Sequence, residues 1–138
     1  MNRSRLLTAL SFSAALLAAV PSAATPAPVQ VTLRNAPGSH LQIISAYLQT
    51  GEDLAIVRGM VRRTPAWSGV VNGHLHVSVY GADGALLAER PVRWFKTFKG
   101  REGGASTYEV NLGVPRVAVV RLDVAYAPGA HAAEGVAR

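Results

Sequence analysis

Apolar and polar residues alternate along most of the chain after position 28, with the two-residue period of a β-strand. In the clearest case Leu75, Val77 and Val79 fall on one side and His74 and His76 on the other. No stretch of this part shows the i, i+3, i+4, i+7 spacing of an amphipathic helix. The alternation predicts strands at 29–33, 40–48, 53–63, 73–79, 107–112 and 117–126.

Turn-forming residues separate these segments. Asp83 and Gly84 stand between Val79 and Leu86 and both tolerate positive φ, so they predict a hairpin. About seven short strands in roughly 100 residues are typical of an immunoglobulin-like sandwich. We therefore expect an all-β fold, a single immunoglobulin-like antiparallel β-sandwich, with a small closed β-barrel as the alternative.

The first 24 residues have the three-part organisation of a secretory signal peptide. Arg3 and Arg5 supply a positive start, an apolar run covers 6–20, and small residues at 22–24 suit cleavage. A membrane anchor is the alternative, but the run is shorter than the ~20 residues that a span needs. We expect a periplasmic or secreted protein with a signal peptide (1–24), a linker (25–28), a β-sandwich domain (29–126) and a flexible tail (127–138).

Composition narrows the class of protein further. The 138 residues are 49% hydrophobic and include no cysteine, which excludes a disordered chain, a disulfide-stapled miniprotein and a thiolate-ligated metal. The formal net charge is +6, and +4 once the two arginines of the signal peptide are removed. Frequent arginine and alanine indicate a bacterial protein from a GC-rich genome.

The segment 90–101 is the most distinctive stretch, because it interleaves basic with aromatic residues. As a strand it would place Trp94, Lys96 and Phe98 on one side. Cationic charge with aromatic anchors suits an anionic surface or a protein interface. Pro91 favours an edge strand, and lysines on an edge strand prevent aggregation. The alternative to a binding site is therefore a segment whose basic residues only have this protective role. The candidate binding residues are Arg90, Arg93, Trp94, Lys96, Phe98 and Lys99.

His74 and His76 form a second candidate site. Residues two apart on a strand project from the same face, and a neutral imidazole pair suits zinc, copper or nickel. Two ligands are fewer than the three or four of an ordinary zinc site, and no third ligand lies on the same strand. Solvent-facing strand residues without a ligand are the alternative.

Enzymatic motifs are absent from the sequence. It contains no G-x-S-x-G elbow, no H-E-x-x-H pair and no P-loop, and its eight acidic residues are scattered. A Ser–His–Asp group assembled from Ser78, His76 and Asp123 would depend on chance adjacency of strands. We expect a protein that is not an enzyme and has no cofactor.

Three short runs give the chain a family likeness, namely 58–61 (RGMV), 73–77 (GHLHV) and 83–87 (DGALL). Together they resemble small, uncharacterised exported bacterial domains of immunoglobulin-like or fibronectin-like type. The likeness covers about a third of the mature chain, residues ~55–90. It implies a β-sandwich and carries no active site.

Two hypotheses follow for the function. The first is a non-enzymatic exported β-sandwich that binds an unknown protein or an anionic envelope component through the basic-aromatic segment 90–101. The second is a small periplasmic metal-binding protein that uses His74 and His76. Neither involves nucleic acid, and the mature chain contains no apolar stretch of membrane-spanning length.

Overall fold

The computed structural model of the protein describes residues 27–95, 98 and 104–129. The predicted signal peptide lies outside these residues, as do parts of the linker and the tail. Seven strands occupy the described part of the chain. They are β1 (Gln30–Arg34), β2 (Leu41–Leu48), β3 (Leu54–Arg63), β4 (His74–Tyr80), β5 (Leu86–Val92), β6 (Ala105–Pro115) and β7 (Arg121–Ala127), and a 3-10 turn (Arg116–Ala118) precedes β7.

The strands form two sheets. One has the order β1-β7-β4-β5 and the other the order β2-β3-β6. The predicted all-β sandwich of about seven strands is confirmed, with the division into four and three strands that immunoglobulin-like sandwiches use. The two sheets do not close on each other, so the alternative of a small barrel is wrong.

The pairing of β1 with β7 differs from the prediction. These two strands are parallel, with Gln30 opposite Arg121 and Arg34 opposite Ala125, whereas the other pairs are antiparallel. Five strands, β2 to β6, separate them along the chain. Because successive strands run in opposite directions, β1 and β7 start at the same end of the sandwich. An alternation of period two is the same in parallel and antiparallel strands, so the sequence does not reveal this pairing.

The facing sides of the two sheets form the core. As predicted, Leu75, Val77 and Val79 of β4 point inward and are fully buried. Such burial removes apolar surface from water and is the main stabilising contribution in a chain without disulfides. The buried apolar residues are Leu41, Ile43, Leu48, Ala55, Val57, Val61, Val71, Leu75, Val77, Val79, Phe98, Tyr108, Leu112, Val119, Leu122 and Val124.

Tyr108 is the largest fully buried side chain in the described part of the core. It lies opposite Gly59 of β3, where a Cβ atom would overlap both the Tyr108 hydroxyl and the carbonyl oxygen of Ser45. The register of β2 shifts between Ile43 and Ser45, and the Tyr108 hydroxyl donates to the Ser45 carbonyl oxygen at that bulge, over 2.9 Å. Burial raises the pKa of Tyr108 above its ordinary value.

Two strand boundaries differ from the prediction. The segment predicted to begin at 117 becomes a strand only at Arg121, because Arg116 to Ala118 form the 3-10 turn. That turn is held by the loop between β2 and β3. The Arg116 backbone donates to the Asp53 carbonyl and the Arg116 side chain donates to the Gln49 carbonyl, both over 2.9 Å. The strand predicted at 107–112 is longer and covers β6.

The predicted hairpin at Asp83 and Gly84 is confirmed, although only one of the two residues has positive φ. Gly84 has φ 80°, whereas Asp83 does not have positive φ. Instead, the Asp83 carboxylate accepts a hydrogen bond of 3.0 Å from the Ala85 backbone, which holds the turn. A glycine in the left-handed region followed by a register shift is typical of hairpins with a bulge.

Candidate functional site

The loops lie at two ends of the sandwich that differ in charge. The first, called the basic end, consists of the described loop residues 35–40, 64–73, 93–95 and 128–129. None of these residues is acidic. The second, called the acidic end, consists of residues 49–53, 81–85 and 116–120 and includes Glu52, Asp53 and Asp83. The described part of the candidate segment 90–101 lies at or next to the basic end.

The basic-aromatic segment is not one continuous strand. β5 ends at Val92 and is an edge strand of its sheet, as predicted from Pro91. Arg93 and Phe95 follow it and are exposed, and Phe95 is 73% exposed. The backbone N–H of Phe95 donates to the Thr107 carbonyl of β6 over 2.9 Å, so the exposed ring stands on an anchored segment.

The other two aromatic residues of the segment point inward. Phe98 is only 3% exposed and belongs to the core, so it is not available for contact with a partner. Trp94 is half-buried, with ring centroids 6.2 Å from Phe98 and 6.3 Å from Tyr126. Among the candidate binding residues Arg90 is also exposed, while Lys96 and Lys99 lie outside the described residues. Phe95, which the prediction omitted, is the exposed aromatic of the segment.

A cavity of about 380 Å³ adjoins Trp94 at the basic end. Its wall includes the loop that precedes β4, which is held to β7 by the Tyr126 hydroxyl donating to the Asn72 carbonyl over 2.5 Å. Burial raises the pKa of Tyr126. The residues lining the cavity are Val70, Val71, Asn72, Gly73, Arg93, Trp94 and Gly129.

A second cavity at the basic end lies beside a stacked pair of rings that the sequence did not predict. The His40 and Trp67 rings are 3.7 Å apart between centroids, with their planes 16° from parallel. The cavity measures about 490 Å³ and is lined by residues of the loops 35–40 and 64–67, together with Leu41 and Gln42. The only signal in the sequence was a tryptophan within a turn-forming segment.

The predicted histidine pair is present on the outer face of the four-stranded sheet. His74 is buried and His76 is half-exposed, and their Nε2 atoms are 2.9 Å apart. The two ring centroids are 4.6 Å apart, with planes at 63°. The Nδ1 atom of His76 lies 3.2 Å from the Glu89 carboxylate on β5. Strand periodicity predicted the shared face, whereas Glu89 is a partner from the neighbouring strand that was not predicted.

Asp123 is the least expected residue of this outer face. It is 6% exposed although it alternates with core residues and lies on the opposite face of β7 from them. Its carboxylate accepts a hydrogen bond of 3.0 Å from Arg34 of β1 and lies 3.4 Å from the Arg121 guanidinium. Arg121 also covers the Tyr80 ring at 3.8 Å. Arginine side chains from two strands therefore shield the carboxylate from water.

The strands bring Ser78, His76 and Asp123 onto one face. Ser78 lies opposite Asp123 in the register of β4 and β7, and all three line a polar depression of about 260 Å³. Within the described part of the chain, however, no hydrogen bond joins Ser78 to His76 or to Asp123. A serine nucleophile requires a base within hydrogen-bonding reach, so this arrangement supports no hydrolytic proposal.

Comparison with protein-family models, curated proteins and solved structures gives no match for this chain. Among the residues that the structure describes, no group of three or more histidine or acidic side chains is placed to hold a metal ion. The same residues contain no helix that is long and apolar enough to cross a membrane. The case for a function therefore depends on the basic end and on the outer face of the four-stranded sheet.

Proposed function

We propose that the chain is a non-enzymatic exported binding module that docks on an anionic lipid surface through the basic end of the sandwich. Export is inferred from the residues 1–24, whose pattern matches a signal peptide. The observation that carries the proposal is the highly exposed ring of Phe95, on a backbone anchored to Thr107, between Arg93 and the lysines that follow it in sequence.

The distribution of charge supports this orientation. The described loops of the basic end contain no carboxylate, whereas Glu52, Asp53 and Asp83 lie in loops at the acidic end. In the sequence, the loop that connects β5 with β6 adds Lys96, Lys99 and Arg101 against the single acid Glu102. A negative surface therefore attracts the basic end and repels the opposite one.

The chemistry of the exposed groups fits a phospholipid surface. Arg90 and Arg93 can bind phosphate oxygens with paired N–H donors, and each basic residue near an anionic membrane contributes about 1 kcal/mol. Phe95 can insert its ring at the boundary between headgroups and acyl chains. Because its backbone is already fixed to Thr107, little conformational entropy is lost when the ring inserts.

Co-sedimentation with vesicles tests the proposal. We expect the protein to bind vesicles of phosphatidylglycerol and phosphatidylethanolamine, to release them as salt is raised, and to ignore phosphatidylcholine vesicles. Phe95→Ala and the double change Arg90→Gln with Arg93→Gln should each lower binding at least several-fold.

Val117→Ala is the matched control, because Val117 is 89% exposed but belongs to the acidic end. Equal binding to neutral vesicles, or equal losses in Phe95→Ala and Val117→Ala, would overturn the proposal. Failure to bind either vesicle while an acidic protein binds through the same residues would replace the lipid with a protein partner.

A further inference from the structure

The histidine pair on β4 is held at hydrogen-bond distance, with the two rings inclined to each other. The Nε2 atoms of His74 and His76 are 2.9 Å apart. If the two rings pointed at each other along one line, their centres would be separated by this distance plus two ring radii. The centroids are closer than that, at 4.6 Å, and the planes are inclined by 63°. The two rings are therefore inclined to the line that joins the nitrogens and are not collinear with it.

A metal ion bound by both Nε2 atoms would fit this distance. An imidazole nitrogen lies about 2.0–2.1 Å from a first-row metal, so two such ligands at a right angle are about 2.9 Å apart, and two at a tetrahedral angle about 3.3 Å. The observed 2.9 Å is the distance of a hydrogen bond between the two rings, and it equals the separation of two ligands at a right angle, so ligation at that angle needs little rearrangement. Right-angled nitrogen ligation is typical of Cu²⁺ and Ni²⁺ and differs from the tetrahedral preference of zinc.

Glu89 completes the arrangement from the neighbouring strand. Its carboxylate lies 3.2 Å from the Nδ1 atom of His76, although the two do not form a hydrogen bond, and a proton on Nδ1 would leave the lone pair of Nε2 for a ligand. A carboxylate behind a histidine ligand also fixes the orientation of the ring. Glu89 is thus a positioning residue for His76.

The site is open to solvent on the side of His76, which is half-exposed. The polar depression of about 260 Å³ adjoins His76 and Glu89, whereas His74 is not among its lining residues. The described residues provide no third protein ligand, so water or a small donor molecule would fill the other positions. Such an open site binds and presents a metal ion without enclosing it.

We propose that His74 and His76 form an open surface site for one Cu²⁺ ion, with Glu89 positioning the second histidine. The metal takes the place of the proton that the two Nε2 atoms share. Among divalent first-row metals Cu²⁺ binds nitrogen ligands most tightly, and the right angle adds to that preference. The site is independent of the lipid-docking surface, since none of its three residues belongs to the segment 90–95.

Titration of the full-length chain with Cu²⁺ buffered by glycine, followed by electron paramagnetic resonance, tests the site. We expect one equivalent of Cu²⁺ with an axial spectrum and two equatorial imidazole nitrogens, and Zn²⁺ binding at least ten-fold weaker. His76→Ala should abolish the two-nitrogen spectrum, and Glu89→Gln should weaken binding about ten-fold or more.

Two controls keep the result interpretable. His74 is buried, so His74→Ala is compared with the half-exposed His76→Ala, and the thermal unfolding of both is measured in the absence of metal. His40→Ala should leave the spectrum unchanged, because His40 stacks on Trp67 in another loop. A spectrum that survives both β4 variants, or Zn²⁺ binding as tight as Cu²⁺, would overturn the proposal.

Discussion

The hydroxyl of Tyr108 on β6 donates a hydrogen bond of 2.9 Å to the backbone carbonyl of Ser45, across the intervening strand β3. The contact joins the two edge strands of the three-stranded sheet through its centre. It also satisfies a carbonyl group at the bulge in β2, where the register shifts. This tyrosine therefore stabilises the irregular part of the sheet as well as filling the core.

Removal of this hydroxyl should destabilise the fold measurably. Tyr108→Phe keeps the ring but leaves the half-buried Ser45 carbonyl without its donor, which costs about 1–2 kcal/mol. Urea denaturation followed by tryptophan fluorescence measures the change. Tyr47→Phe is the control, because Tyr47 is exposed and should differ from the unchanged protein by less than about 0.5 kcal/mol. Similar losses in the two variants would contradict the role assigned to Tyr108.

The same tyrosine predicts how stability changes at alkaline pH. Burial raises the pKa of Tyr108 above its ordinary value of 10.0, so the unfolded chain loses this proton at lower pH than the folded one. The stabilising contribution is therefore complete below about pH 10 and is lost as the pH rises above it. Urea denaturation between pH 8 and 11.5 should show a steeper decline for the unchanged protein than for Tyr108→Phe. Parallel curves would refute the linkage.

Gly59 is required by the close approach of β2 and Tyr108. A methyl group at this position would overlap the Ser45 carbonyl oxygen, which is backbone and cannot rotate away. Gly59→Ala should therefore lower the free energy of unfolding by about 3 kcal/mol or more. Met60→Ala, on the outer face of the same strand, should cost much less. Calorimetric unfolding of both variants gives the comparison, and a mild effect at Gly59 would show that β2 can move.

The ion pairs of the two sheets should differ in strength. Asp123 is buried between Arg34 and Arg121, so Asp123→Asn should cost about 1–3 kcal/mol and the loss should vary little with salt. The pair of Arg58 with Glu109 is exposed, and Glu109→Gln should cost less than about 1 kcal/mol. Denaturation at low and high salt checks both, and equal costs would contradict the shielding described for Asp123.

The alternation of residues predicted the sandwich because it reports which side of each strand is buried. The inward residues of β4 are the clearest confirmation, and the same periodicity placed His74 and His76 together. Contacts between distant segments were not predictable. Asp123 is buried because Arg34, 89 positions away, covers it, and the 3-10 turn forms because Arg116 binds the loop before β3.

In the basic-aromatic segment, too, the local pattern of residues did not predict which side chains are buried, even over a few residues. The prediction treated 90–101 as one strand, in which Trp94 and Phe98 would share one side as binding residues. The chain instead leaves the sheet after Val92, and Phe98 enters the core while Phe95 remains outside. Whether an aromatic residue near a strand end packs inward depends on the space left between the sheets, which local alternation does not encode.

The place of β7 determines when the protein can fold. It is the last of the described strands along the chain, yet it lies between β1 and β4 and forms hydrogen bonds with both. During synthesis the four-stranded sheet therefore cannot assemble until β7 has left the ribosome. Until then β1 and β4, which are made earlier, lack the strand that joins them.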